Sequence, residues 1–127
     1  MDADIGGLNK VTEMVIGCAY RVSDNLGCGF FEKIYENALA HELRKVGLKV
    51  EQQKRFSVVY DGTPVGEYIA DLIVEGEVIV ETKTARVLEE IHKAQCLNYL
   101  KATGLKLGLV LNFGTTRVSV KRVVNRF

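Results

Sequence analysis

The hydrophobic period changes once along this chain, at Gly47, and that change constrains the fold more than any single motif. Before it, Leu8, Val11, Val15, Cys18, Val22 and Leu26 recur every three or four residues. This is one apolar stripe of a helix over residues 7–25, which Gly27 and Gly29 break. A second helix is predicted over residues 30–46, with Phe31, Ile34, Ala38, Leu39, Leu43 and Val46 facing inward and Gly47 at its end. After Gly47 the period is two. Residues 50–60 read as a strand, Asp61-Gly62 as a tight hairpin turn, and 65–74 and 77–84 as two more strands joined at Glu75-Gly76-Glu77. Residues 88–103 read as a helix ended by Gly104, and 105–113 and 117–124 as closing strands. The order α-α-β-β-β-α-β-β predicts a mixed α/β (α+β) domain with a central sheet between helices. The helix after the third strand is long enough for a crossover, so the strands it joins are expected to run parallel.

Within the third strand, VIVETKTA carries a carboxylate and an ammonium two residues apart. Glu81 and Lys83 therefore share a face of a strand whose composition is otherwise that of a buried one. In the second strand Asp71 is the only charge between Glu67 and Glu75, and it is expected to share a face with Ile69 and Ile73. The turn decides whether Asp71 and Glu81 meet. An odd loop at Glu75-Gly76-Glu77 pairs Val74 with Val78 and Leu72 with Val80, so Asp71 faces Glu81 directly. A loop over Val74-Glu75-Gly76 makes them diagonal neighbours, and a two-residue loop puts them on opposite faces. On one face, two carboxylates lie within roughly 5–8 Å. A divalent cation such as Mg²⁺ or Mn²⁺ neutralises such a pair, because it takes oxygen ligands and is commonly held by one or two carboxylates. Lys83 then has two roles open to it, positioning an attacking water or stabilising a pentacovalent phosphate. The competing reading is an ordinary ion pair of Lys83 with Glu81 or Asp71.

The bulk numbers fit one globular domain over residues 1–127, 47% hydrophobic and 26% charged, with no linker or repeat to divide it. The polar start MDADIGGLNK is unlike a signal peptide, and no apolar run approaches a membrane span. Cys18, Cys28 and Cys96 lack C-x-x-C spacing and read as reduced thiols of a cytoplasmic protein. The net charge of +1 hides an asymmetry. After Glu90 there is no Asp or Glu, while Lys93, Lys101, Lys106, Arg117, Lys121, Arg122 and Arg126 are all positive. A basic C-terminal third suits contact with a phosphate backbone, with Lys121 and Arg122 as candidate substrate contacts; a solvated surface is the competing reading.

Three strings in order add to this. Gly29-Phe30-Phe31-Glu32-Lys33-Ile34-Tyr35 is a G-x-x-E-x-x-Y opening the second helix. Asp71 is followed, after nine intervening residues, by Glu81-Thr82-Lys83. Gln95-Cys96-Leu97-Asn98-Tyr99 is a Q-x-x-x-Y on the next helix. Together they resemble the GxxExxY protein family, a branch of the PD-(D/E)XK nuclease-like superfamily. The resemblance runs from the first helix to NFGTTRVSVKRVVN. It implies a restriction-endonuclease-like core and a divalent-metal site. Asp71 and Glu81 would be metal ligands, helped by the backbone carbonyl of Thr82; Lys83 would be the catalytic lysine, and Glu32 the helix carboxylate completing the acidic cluster. Gln95 and Tyr99 match an element that in RecB-like relatives supports the site and nearby DNA. The chain departs from the pattern at the proline, since Ala70 precedes Asp71. The four-cysteine cluster of some relatives is also missing.

Each residue has a plainer reading. Glu32 also fits a residue that only complements a helix dipole, and Glu36 one turn on competes for the place facing the sheet. Tyr35 fits a core aromatic, and His92 a surface or supporting histidine. His41 has no partner legible in sequence. No G-x-x-x-x-G-K loop points to nucleotide hydrolysis, and Ser23, Ser57 and Ser119 sit in no nucleophile elbow. Two functions follow: a metal-dependent nuclease acting on DNA, or a nuclease-fold module that binds nucleic acid or protein without cutting. A domain this small leaves little room for a recognition module, so structure-dependent cutting, a homodimer or a protein partner is expected.

Overall fold

The computed structural model describes residues 3–126, and side chains from residue 7 onward. The polar start at Met1 and Asp2, and the domain limits at residues 1 and 127, lie outside the described residues. Helices α1 (Ala3–Leu26) and α2 (Glu32–Lys45) precede strands β1 (Val50–Tyr60), β2 (Thr63–Val74) and β3 (Val78–Lys83). Helix α3 (Glu90–Thr103) leads to β4 (Leu107–Asn112) and β5 (Ser119–Val124). The element order is the one that the hydrophobic periods predict.

The five strands form one sheet in the order β1-β2-β3-β4-β5. All neighbours are antiparallel except β3 and β4, which run parallel across the α3 crossover. Helices α1 and α2 cover one face. There Val15, Val22, Leu39 and Leu43 pack on Leu72, Val74, Val80, Leu109 and Leu111. Helix α3 covers the other, with Cys96 and Leu100 against Ala70, Ile73, Ile79 and Val110. Both clusters are built from side chains alternating along the same strands, the pattern of a sheet buried on both faces.

Two expectations need correction. In α2, Phe31 and Ile34 do not face inward. Phe31 is the N-cap, with φ −67° and ψ 150°, so its extended backbone is out of phase with the helix that starts after it. The helix buries Tyr35, Leu39 and Leu43 with Glu36 and Ala40. Phe31, Ile34 and the C-cap Val46 are exposed. In β2, Ile69 does not share a face with Ile73. Tyr68 and Ala70 lie on the α3 side, whereas Leu72 and Val74 lie on the α1/α2 side, so the alternation reverses at Asp71. The cause lies in the facing strand. Gln53 has φ +54° and is missing from a ladder that pairs Gln52 with Leu72 and Lys54 with Ala70. Both strands pivot there. Val50 packs with the α1/α2 cluster, and Phe56 and Val58 with the α3 cluster.

The loop between α1 and α2 is held by Tyr35. Its hydroxyl donates to the Gly27 carbonyl at 2.6 Å and accepts from the Phe30 N–H at 3.2 Å, and its ring stacks on Phe113 at 4.8 Å. Gly29 turns through φ +114°, a conformation that side-chain-bearing residues rarely adopt. The glycine and tyrosine of G-x-x-E-x-x-Y thus shape the loop that delivers Glu32. Among the described residues no helix is long and apolar enough to cross a membrane. Cys18, Cys28 and Cys96 are free thiols.

Candidate active site

The β2–β3 turn resolves the question of parity. Val74 pairs with Val78, Ile73 with Ile79 and Leu72 with Val80, the register of the odd loop. The ladder stops at that row. One residue further, side chains replace backbone acceptors. The Asp71 N–H donates to Glu81 Oε2 at 3.2 Å. The Thr82 N–H and hydroxyl both donate to Asp71 Oδ2, at 2.9 and 3.1 Å. Each carboxylate thereby satisfies a backbone donor on the opposite strand that the splayed ladder leaves without a carbonyl.

Glu81 is 6% exposed. Burial pushes its carboxyl up to about 7, and the neighbouring Asp71 charge pushes the same way. Hydrogen bonds from Tyr68 and the Asp71 backbone and the charge of Lys83 work against that rise. The Tyr68 hydroxyl donates to Glu81 Oε2 at 2.8 Å, and its own pKa is raised, chiefly by burial and then by Glu81. Tyr99 stacks on Tyr68 with ring centres 3.6 Å apart, and Phe56 also stacks with Tyr68, at 6.0 Å. Tyr99 therefore bears on the carboxylate pair through Tyr68.

Lys83 is half-buried and makes no ion pair among the described residues; the competing reading of a Lys83 pair with Glu81 or Asp71 is not realised. It acts through space on Glu81 and on Glu32. Glu32, the first residue of α2, is raised by partial burial; Lys83 opposes the rise, and Asp71 and Glu36 add to it. The Thr84 backbone also lowers the Glu32 pKa, which places the start of α2 near the end of β3.

Glu36 is the carboxylate turned to the sheet. It is buried and accepts from Lys33 at 3.0 Å, Gln52 at 2.7 Å and Gln53 at 2.8 Å. These bonds hold Gln53 at the pivot that re-aims Asp71. Among the described residues no group of three or more His, Cys, Asp or Glu is gathered closely enough to hold a metal ion. Glu32 therefore flanks Asp71 and Glu81 and does not close a three-carboxylate cage with them.

The remaining candidates lie further out. Gln95 is exposed on α3, and no hydrogen bond joins it to the carboxylates. Lys121 is exposed on β5 in the row Glu81–Val110–Lys121. Two strand spacings, roughly 10 Å, separate it from Glu81. Arg122 donates to Thr12 at 3.2 Å and to Asn9, tying β5 to α1. Arg117 lies over the Tyr20 ring at 4.7 Å. Part of the basic C-terminal third is thus engaged with α1. His92 accepts the Glu89 N–H at 2.9 Å in a capping box, a structural role.

Two residues at this end of the sheet escaped the sequence reading. Tyr68 lies three positions before Asp71, and simple alternation puts it on the opposite face; only the reversal at Asp71 brings it to Glu81. Asn112 is fully buried. Its Oδ1 accepts from the Ala85 and Gly114 N–H groups, each at 3.0 Å, and its amide donates to the Ala85 carbonyl at 2.9 Å. An asparagine ending an apolar strand, opposite Lys83 in the parallel pair, was the available signal.

Residues 9–123 match the family described as the PD-(D/E)XK nuclease superfamily. That span takes in every candidate residue above. No curated protein matches the chain. Among solved structures, the crystal structure of SSO0001 is similar, with a TM-score of 0.59 at 19% identity over 75% of this chain and 50% of that one. The chain spans half the length of that protein, and at this identity the likeness speaks for the fold alone.

Proposed function

The chain belongs to the PD-(D/E)XK nuclease superfamily, and we propose that it is a Mg²⁺- or Mn²⁺-dependent phosphodiesterase that cuts nucleic acid, DNA in the first instance. Members of the superfamily generally use divalent metals. The observation that carries the reading is the convergence of Asp71 and Glu81 beside Lys83 at the end of β3.

The donor set fits such an ion. Asp71 Oδ2 and Glu81 Oε2 are engaged by protein donors, which fixes both carboxylates. No hydrogen bond among the described residues engages Oδ1 of Asp71 or Oε1 of Glu81. Hard oxygen donors from two carboxylates, with the Thr82 carbonyl as a third, suit Mg²⁺ or Mn²⁺ better than a soft metal. A cation bound there would lower the pKa of a bound water and neutralise charge developing on a phosphate. Thr82 orients Asp71, and Tyr68 orients Glu81. The Lys83 ammonium positions the attacking water or stabilises the phosphate charge, and Glu32 supports Lys83 from α2. Gln95 and Lys121 are the proposed contacts to the substrate strand around that centre, while Tyr99 supports Glu81 through Tyr68 and Arg122 braces β5 on α1. The setting is the cytoplasm, and site selection falls to DNA structure, a homodimer or a protein partner.

A direct test incubates the protein with single-stranded, duplex, flapped and branched DNA in Mg²⁺ or Mn²⁺, beside Glu81→Ala and Lys83→Ala. Cleavage by the wild type alone is the expected result. Equal cleavage by all three proteins would sink the proposal.

A second reading, a module that binds nucleic acid or protein without cutting, is favoured by one observation. Asp71 and Glu81 already satisfy each other's strands, and among the described residues no third carboxylate gathers with them closely enough to hold a metal ion. Calorimetric titration with Mn²⁺ separates the two: heat that disappears in Asp71→Asn supports the nuclease, and no heat in the wild type supports the module.

A further inference from the structure

Among the described residues Phe31 is the large apolar side chain that the fold leaves most open. It is 83% exposed, although it directly precedes Glu32. Its backbone is not loose. Gly29 sets the turn, Phe30 packs edge-on against Tyr35 at 6.2 Å, and the Ile34 N–H donates to the Phe31 carbonyl at 3.0 Å. Tyr35 in turn is pinned to Gly27, Phe30 and Phe113. An exposed aromatic ring thus stands on a fixed mount directly before Glu32, a carboxylate that the charges of Lys83 and Asp71 reach. The Thr84 backbone influences Glu32, and Arg86, two residues on, is exposed. The Phe31 π-face therefore stands at the helix start that lies near the Asp71–Glu81–Lys83 end of β3, and an exposed arginine follows two residues after Thr84.

We infer that Phe31 is a stacking platform for an unpaired nucleobase next to the scissile phosphate, with Arg86 on the neighbouring phosphate. The substrate class is then a single strand, or a duplex with a splayed end or flap. Inside a continuous duplex both faces of every base are covered by its neighbours, and only an unpaired base offers one to an aromatic side chain. Such stacking tolerates any base, so it needs no sequence-reading element beside it. The inference rests on the nuclease reading for its scissile phosphate, but not for its stacking.

The experiment uses the full chain as wild type, Phe31→Ala and Phe31→Trp. The probes are a DNA 12-mer carrying one 2-aminopurine, as a single strand and as a blunt duplex, in EDTA. The expected result is quenching with the single strand by the wild type. Affinity for it falls about 5- to 100-fold in Phe31→Ala and returns in Phe31→Trp, with little change for the duplex. Equal affinity of wild type and Phe31→Ala for the single strand overturns the platform, as does equal loss for single strand and duplex. A change in the sedimentation of the free protein on Phe31→Ala also overturns it and makes the ring a protein contact. Cleavage in Mn²⁺ keeps the two proposals apart. If cutting depends on Glu81 while strand binding ignores Phe31, the platform falls alone. If strand binding depends on Phe31 and the wild type cuts nothing, the platform stands and the nuclease falls.

Discussion

Asp71 and Glu81 each cap the other's strand: the Asp71 N–H donates to Glu81 Oε2 at 3.2 Å, and the Thr82 N–H donates to Asp71 Oδ2 at 2.9 Å. This exchange begins where the β2–β3 ladder ends, at Leu72 and Val80. Two strands that part would leave backbone donors in a poorly hydrated place, and here the carboxylates take them. The same bonds hold both side chains in fixed rotamers. Order at the candidate site is thus a by-product of finishing the sheet.

Tyr68 is the residue whose removal tests that order without touching a carboxylate. Tyr68→Phe keeps the ring stacked on Tyr99 and deletes the hydroxyl that holds Glu81 at 2.8 Å. Loss of such a supporting bond is expected to weaken Mn²⁺ binding by about 10- to 100-fold. Calorimetry on the two proteins reads the change directly, with circular dichroism to show the same fold. Unchanged affinity would mean that Tyr68 only fills space.

The raised carboxyl of Glu81 makes a prediction about stability in the absence of metal. Its pKa is about 7 when folded, against an ordinary 4.5. Between those values the folded chain holds a proton that the unfolded chain has released, so stability falls as pH rises through the window. The contribution is fully present below pH 4.5 and gone above about 7, a change of about 3 kcal/mol. Glu81→Gln, a neutral mimic of the protonated acid, should remove this slope and exceed the wild type in stability at pH 8. The quantity to measure is the difference in urea unfolding free energy between the two proteins from pH 4.5 to 8. A difference that stays constant across that range would refute the shift.

Much of the fold was legible because its signals are local. The period change at Gly47, the turn residues and the length of α3 are each readable within a dozen positions, and they give element order and the parallel pair. The Asp71–Glu81 meeting was legible as a conditional statement, since parity across one turn is a counting problem. Less legible was anything set by two distant segments at once. The reversal at Asp71 depends on Gln53, which Glu36 of α2 helps to hold. Tyr68 reaches Glu81 only through that reversal. Phe31 misled for a related reason: its spacing fits the helical stripe, but the helix starts one residue later.

Asn112 should prove structural and expensive to lose. Its side chain ties the strand after the candidate site to the loop after β4 through bonds to Ala85 and Gly114. Asn112→Ala strands those backbone groups in a buried place, at a cost of roughly 2–3 kcal/mol. Asn112→Asp keeps the oxygen that accepts both N–H groups but sets a carboxylate against the Ala85 carbonyl, so its deficit should shrink at acid pH as the carboxyl gains a proton to donate. Denaturation of the three proteins at pH 5 and 7.5 checks this; equal deficits for the aspartate at both pH values would contradict it.

Gly108 marks a close approach of α3 to the sheet, and there the cause of a destabilisation can be isolated. A Cβ on Gly108 would stand 2.6 Å from Cys96 Sγ, with Ile79 O at 3.5 Å and Leu100 Cδ2 at 3.6 Å. The first distance is a collision, and the other two are ordinary contacts. Cys96 is buried, and its burial pushes the thiol up to about 12, so it remains a neutral, compact side chain. Gly108→Ala alone should cost about 1–3 kcal/mol through overpacking. Cys96→Ala removes the colliding sulfur and leaves room for the new methyl group. The double variant should therefore be more stable than Gly108→Ala alone, with a coupling of about 0.5–2 kcal/mol in a double-mutant cycle read by urea denaturation. Strict additivity would show that the cost of Gly108→Ala comes from the strand backbone and not from the sulfur, and that α3 is free to settle on the sheet without this glycine.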